Sequence, residues 1–272
     1  MNIHTLCLLC TAWLTAVAAQ ACNGSAHYNN GGTPAATCTH HTAAHTDAAS
    51  GTLQRQLAAL RQWKAGTEVS PEAVRAYGMD SCFTSQRIDD ALYRRIYGKS
   101  FKTYCTVPRS SLRYIRVLHY TADRRILTGE LVCHKDIAAD LTDIFRKLYD
   151  AQYAIESIRL IDDYDADDTR SMNANNTSCF NFRTVAGSRK LSNHSMGKAV
   201  DLNPLYNPYV KRRADGSTTV NPEKGRRYAD RSAKFGYKID RNDLAYRLFT
   251  QHGFRWGGNY RSLKDYQHFE KP

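Results

Sequence analysis

The chain has 272 residues, 42% of them apolar, which excludes a fibrous or wholly disordered protein and leaves room for one large domain, or one domain plus an appendage. Its 38 Lys and Arg against 26 Asp and Glu give a formal net charge of +12, so an anionic partner is expected: nucleic acid, a membrane surface or an acidic envelope polymer. The basic residues fall in short clusters such as "VKRRADG" and "KGRRYADR" with no nucleic-acid motif beside them, so nucleic acid is set aside.

Residues 1–21, "MNIHTLCLLCTAWLTAVAAQA", have an apolar middle and end in small residues, with an A-x-A pattern at Ala19 and Ala21. This is the form of a signal peptide, and its apolar run is too short to span a bilayer, so export to a periplasm or the exterior is expected, with no transmembrane segment in the mature form. Cys22 follows directly, but Ala19 stands where a lipobox carries Leu or Val, so a lipid at Cys22 is left open and not favoured. Cys22, Cys38, Cys82, Cys105, Cys133 and Cys179 remain after the signal; oxidising conditions would allow disulfides, whose pairing the sequence does not give. No C-x-x-C pair survives, which argues against a thiolate zinc site. Cys179 reads as a buried or bridged residue rather than a nucleophile.

Residues 22–51 are rich in Ala, Thr, Gly and Asn and read as a flexible low-complexity leader, with His27, His40, His41 and His45 as incidental linker histidines. Order is expected from Leu53, where Leu53, Leu57 and Leu60 share a helical face. Ile88, Leu92 and Ile96 mark a second helix ended by Gly98. "LRYIRVLHY" and "ILTGELVC" predict two strands joined by the turn "TADRR". In "KDIAADLTDIFRKLYD", Ile137, Leu141, Ile144, Phe145, Leu148 and Tyr149 recur at helical spacing. A short strand "SIRLID" follows, then "DDYDADD", which lacks the Gly and Glu of a calcium loop and reads as solvated. "TSCFNFR" and "KAVDLNP" are strand candidates, and "DRNDLAYRLFTQHGF" is a helix capped by Asp240. Elements of both kinds without a βαβ repeat predict an α+β domain over 52–272. His119, His134 and His252 default to structural roles, His252 beside a helix C-terminus.

The chemistry concentrates in "KLSNHSMGKAVDLNP" and "KDYQHFE". His194 and Asp201 flank Gly197; a turn there, followed by a strand, lets both side chains face one cleft. Catalytic zinc takes three protein ligands and leaves one position open, and His268 can supply the third. Asp265, three residues earlier, is placed to act as general base without ligating.

The pattern S-x-H-x-x-G-x-A-x-D, filled by Ser192, His194, Gly197, Ala199 and Asp201, resembles the first zinc motif of the VanY-type D-alanyl-D-alanine carboxypeptidases, a family that includes L-alanyl-D-glutamate endopeptidases and shares the hedgehog fold. Asp265 to His268 is similar to its second motif, and Trp256-Gly257 to a pair that precedes it. Tyr266 argues against the His-x-His motif of lysostaphin-type enzymes. The resemblance covers roughly residues 155–270. It implies a hedgehog-like α+β fold with a small, mostly antiparallel sheet and one Zn2+ held by His194, Asp201 and His268. It further implies Asp265 as base, Arg183 (with Arg189 as rival) on the developing oxyanion, and Ser192 as a site-orienting or substrate-binding residue. The expected function is an exported zinc peptidase cutting the stem peptides of peptidoglycan, with anionic envelope polymers as possible partners. The alternatives are a non-catalytic zinc module and a metal-free basic envelope-binding protein.

Overall fold

The computed structural model describes residues 41–185 and 187–271; the expected signal at 1–21, Cys22, Cys38, and the leader as far as His40, with His27, lie outside the described residues. Helix α1 runs His41–Gln62 and so begins inside the expected leader rather than at Leu53. The reason is local: "TAAHTDAAS" is rich in alanine, the strongest helix former. Leu57 and Leu60 are buried, as their spacing predicts. Strand β1 (Glu68–Val69) follows, then α2 (Pro71–Tyr77), where Ser70 Oγ accepts from Ala73 N at 3.2 Å and Pro71 opens the helix. After β2 (Thr84–Arg87), Asp89 caps α3 (Asp90–Ile96), accepting from Leu92 N at 2.8 Å.

Strands β3 (Leu112–Tyr120) and β4 (Ile126–His134) form the predicted hairpin, paired from Leu112↔His134 to Tyr120↔Ile126. They are the centre of an antiparallel sheet of order β1-β4-β3-β2. Helix α4 (Lys135–Asp150) buries Ile137, Leu141, Ile144, Phe145, Leu148 and Tyr149. At about 1.5–3 kcal/mol per large apolar side chain removed from water, this helix is a main support of the core.

Beyond β5 (Ser157–Ile158), "DDYDADD" is not a solvated loop throughout. Asp162 is buried and accepts from Ser100 N and Ser100 Oγ, both at 2.9 Å, while Asp167 caps α5 (Asp168–Asn173). A buried carboxylate is kept when hydrogen bonds satisfy it, which composition alone does not reveal. The expected strand at 177–183 is regular only in β6 (Asn176–Thr177), which pairs in parallel with β5; the rest is extended chain, with Phe180 N donating to Val132 O and Phe182 N to Ser100 O.

The C-terminal part consists of short strands: β7 (Ala199–Asp201), β8 (Tyr209–Arg212), β9 (Thr218–Asn221), β10 (Arg255–Trp256), β11 (Lys264–Asp265) and β12 (His268–Glu270). They pair antiparallel as β10-β12-β7 and β11-β8-β9. Helix α6 (Leu244–Gln251) is capped by Asp243, not Asp240. Asp243 Oδ1 accepts from Ala245 N at 2.9 Å, whereas Asp240 Oδ1 accepts from Asn242 N and closes a turn, so the helix starts after Asp243 rather than after Asp240. Helices with small, mostly antiparallel sheets make this the expected α+β fold.

Candidate metal centre

His194 lies in a 3-10 turn, Asn193–Met196, ended by Gly197 at φ +66°. A Cβ at Gly197 would also stand 2.7 Å from His134 N, so both conformation and space demand glycine. The chain reverses there into β7, whose Asp201 stands in register opposite His268 on β12. The ladder is held from behind by the buried core, with Phe269 stacked on Phe249 of α6 at 4.3 Å between ring centres. Ligand positions set on two paired strands are therefore fixed by sheet register.

Three side chains converge: His194 Nε2 is 3.2 Å from Asp201 Oδ2, His268 Nδ1 is 3.0 Å from Asp201 Oδ1, and the two imidazole nitrogens are 3.3 Å apart. Their ligand atoms all lie within 4.8 Å of one another. The far sides of the rings are also engaged. His194 Nδ1 donates to Cys179 O at 2.6 Å, which leaves Nε2 as the free lone pair. His268 Nε2 faces Glu270 Oε2 at 3.3 Å, which directs Nδ1 into the site. Carbonyl and carboxylate partners of this kind orient imidazole ligands of metals. Glu270 is in turn held by Asn193 Nδ2. Sequence reasoning missed Glu270; its place two residues after His268, on the same face of a strand, was the available signal.

The charges fit a cation. In the metal-free chain burial opposes charge on His268, yet hydrogen bonds to Asp201 and Glu270 prevail and push it up to about 10. Burial likewise acts to raise Asp201, but the two histidines hold it well below the usual carboxylate range. Glu270 falls to about 2, chiefly through its bond to His268.

Asp265 lies on β11, opposite Tyr209 of β8. Burial pushes its carboxyl up to about 6, an effect that Asp201 reinforces and His268 opposes, and its buried Oδ1 has no hydrogen-bond partner. A buried acceptor without a partner is costly unless a water, ion or substrate meets it. Gly257 explains the Trp-Gly pair: a Cβ there would fall 2.6 Å from Asp265 O and 3.2 Å from His268 Cβ. Trp256 Nε1 donates to Tyr266 O at 2.8 Å and so ties the Asp265–His268 turn down.

The other expected residues are distributed around a cleft of about 1210 Å3. Arg183 lines it, and its Nε forms an ion pair with Asp168 Oδ2; Arg189 is not among the lining residues. Ser192 also lines the cleft, but its Oγ accepts from His194 N at 3.3 Å, so it caps the turn that carries the histidine. Cys179 is buried and its thiol raised by that burial, consistent with a structural rather than nucleophilic cysteine; Cys82, Cys105, Cys133 and Cys179 are all free thiols. His119 Nδ1 bonds Ile155 O at 2.8 Å, His134 caps α4, and His252 pairs with Asp140 and Asp143; none of the three lines the cleft.

Two imidazoles and one carboxylate around a single point, beside a buried carboxyl with one oxygen left without a hydrogen-bond partner, make a donor set suited to zinc and define a candidate metallohydrolase centre. Residues 186–271 match the model of a peptidase family described as D-alanyl-D-alanine carboxypeptidase. The match takes in both motifs, so the resemblance to the VanY-type peptidases extends across the C-terminal segment; Arg183 stands just ahead of it. Comparisons with curated proteins and with solved structures yield no match.

Proposed function

We propose that this chain is an exported zinc metallopeptidase that hydrolyses peptide bonds in the stem peptides of peptidoglycan, built on a hedgehog-like α+β fold. The observation that carries the reading is the convergence of His194, Asp201 and His268 beside Asp265, inside a segment matching a cell-wall peptidase family. No helix among the described residues is long and apolar enough to cross a membrane. The net charge of +12 favours approach to anionic envelope polymers.

His194 Nε2, Asp201 and His268 Nδ1 would hold the zinc, which supplies Lewis acidity toward water and a carbonyl oxygen. The protein's own groups do the rest. Asp265 takes the proton from the attacking water as its oxygen bonds to the carbonyl carbon, then returns it to the amine as the C–N bond breaks. Arg183, steadied by Asp168, donates hydrogen bonds to the carbonyl oxygen as negative charge grows there. Glu270 and the Cys179 carbonyl keep both imidazoles aimed. Ser192 holds the His194 turn, and its position in the cleft wall allows contact with substrate.

The test is mass spectrometry of muropeptides released from isolated sacculi by the zinc-loaded protein, with zinc-loaded Asp265→Ala as control. New stem fragments from the unmutated protein alone support the peptidase, and their masses name the bond. Absence of fragments with zinc bound stoichiometrically would overturn it.

A further inference from the structure

The cleft carries positive side chains that the hydrolytic centre does not use. Lys211, Arg212 and Arg213, from β8 and the turn after it, and Lys190 are all among the residues that line the cleft. All four are exposed. None has an acidic partner among the described residues; Arg213 Nε reaches only Thr219 Oγ1, at 2.9 Å. The cleft's own carboxylates do not neutralise them. Asp168 is paired with Arg183, Asp201 with the two histidines and Glu270 with His268 and Asn193, while Asp265 is buried.

The hairpin is joined to the reacting centre by hydrogen bonds. Tyr209 pairs with Asp265 and Val210 with Lys264, so β8 starts beside the proposed base and leads away from it. At about 3.3 Å per strand residue, Lys211 to Arg213 stand roughly 7–13 Å along the strand from that register position. An extended peptide covers the same span in about two to four residues. Strand β9 fixes this arm, with Lys211↔Thr219 and Arg212↔Thr218 in register.

We infer that the β8–β9 hairpin is a specificity element that selects acidic peptides, those with a free carboxylate about two to four residues from the scissile bond. The inference rests on the peptidase reading above and names the chemistry of its substrate: a free acid is preferred over the corresponding carboxamide. Three cations gathered along one cleft attract a carboxylate more strongly than isolated surface charges would.

The experiment uses a pair of synthetic stem peptides that differ only in a carboxylate or carboxamide at that distance. The zinc-loaded protein is compared with the triple variant Lys211→Ala, Arg212→Ala, Arg213→Ala and with the charge-retaining pair Arg212→Lys, Arg213→Lys. The unmutated protein is expected to prefer the acid by at least about tenfold, with the difference in KM rather than kcat; the triple variant should bring the ratio near one, and the lysine pair should retain it. Equal use of acid and amide by the unmutated protein, or a ratio unchanged in the triple variant, overturns the inference. Binding of both peptides to zinc-loaded Asp265→Asn, followed by calorimetry, is the second readout. Acid-selective binding without turnover by the unmutated protein would sink the peptidase reading and keep the hairpin's selectivity; turnover without selectivity would do the reverse. Thermal melting of each variant confirms that it is folded.

Discussion

Asp201 and His268 face each other across the β7–β12 ladder, their Oδ1 and Nδ1 atoms 3.0 Å apart, so two of the three candidate ligands are positioned by strand register rather than by a loop. Without a metal the pair is an ion pair with His268 charged. Zinc must displace that proton, because only the neutral imidazole ligates. Zinc uptake at neutral pH is therefore expected to release about one proton from His268. Calorimetry in buffers of different ionisation enthalpy measures it, and no dependence on buffer would contradict the arrangement.

The same pair sets a pH dependence for the metal-free protein. His268 rises from the ordinary 6.5 to about 10 on folding. Its contribution to stability is thus full below about 6.5 and is lost as pH rises through about 10. The melting temperature of the metal-free protein should fall between those limits more than that of His268→Gln does.

Asp265 gives the acidic limb of activity. Burial holds it up to about 6 in the metal-free chain, and a bound cation would pull it lower. The proposed base works only when ionised, so kcat/KM should decline with falling pH at or below pH 6 and level off above it. Asp265→Asn should lose about 10²–10⁴ in kcat while still binding zinc. Retained activity in that variant would remove Asp265 from the reaction.

Glu270 acts through His268. Glu270→Gln should weaken zinc binding by about 10–100-fold, measured by competition with a chromogenic chelator, while the fold is kept. Unchanged affinity would mean that the 3.3 Å contact to Nε2 does not orient the ring.

Gly197→Ala tests the turn. At φ +66°, with His134 N 2.7 Å from the new Cβ, it should cost about 1–3 kcal/mol of stability, read from the denaturant midpoint. Zinc affinity should drop with it, since His194 sits in the same turn.

Much of this was legible along the chain. The helical spacing of α4 depends on which face a residue buries, and period alone carries that information; β3 and β4 were legible as apolar, β-branched runs on either side of the polar turn at 121–125. The cap of α6 did not show, because Asp240 and Asp243 are chemically identical and only the turn geometry at Asn242 chooses between them. Nor did the burial of Asp162, which depends on Ser100, 62 positions away.

By itself, the sequence determined the candidate ligands His194, Asp201 and His268, the acid Asp265 and the α+β class, since donor chemistry and local periodicity are properties of residue types and their spacing. Only the tertiary structure decided that Glu270 and the Cys179 carbonyl aim the imidazoles, that Arg183 rather than Arg189 faces the cleft, and that the cations of the hairpin share it. Those relations join residues from separate strands and turns, and they exist only once packing of the core sets the register of β7, β12, β11 and β8.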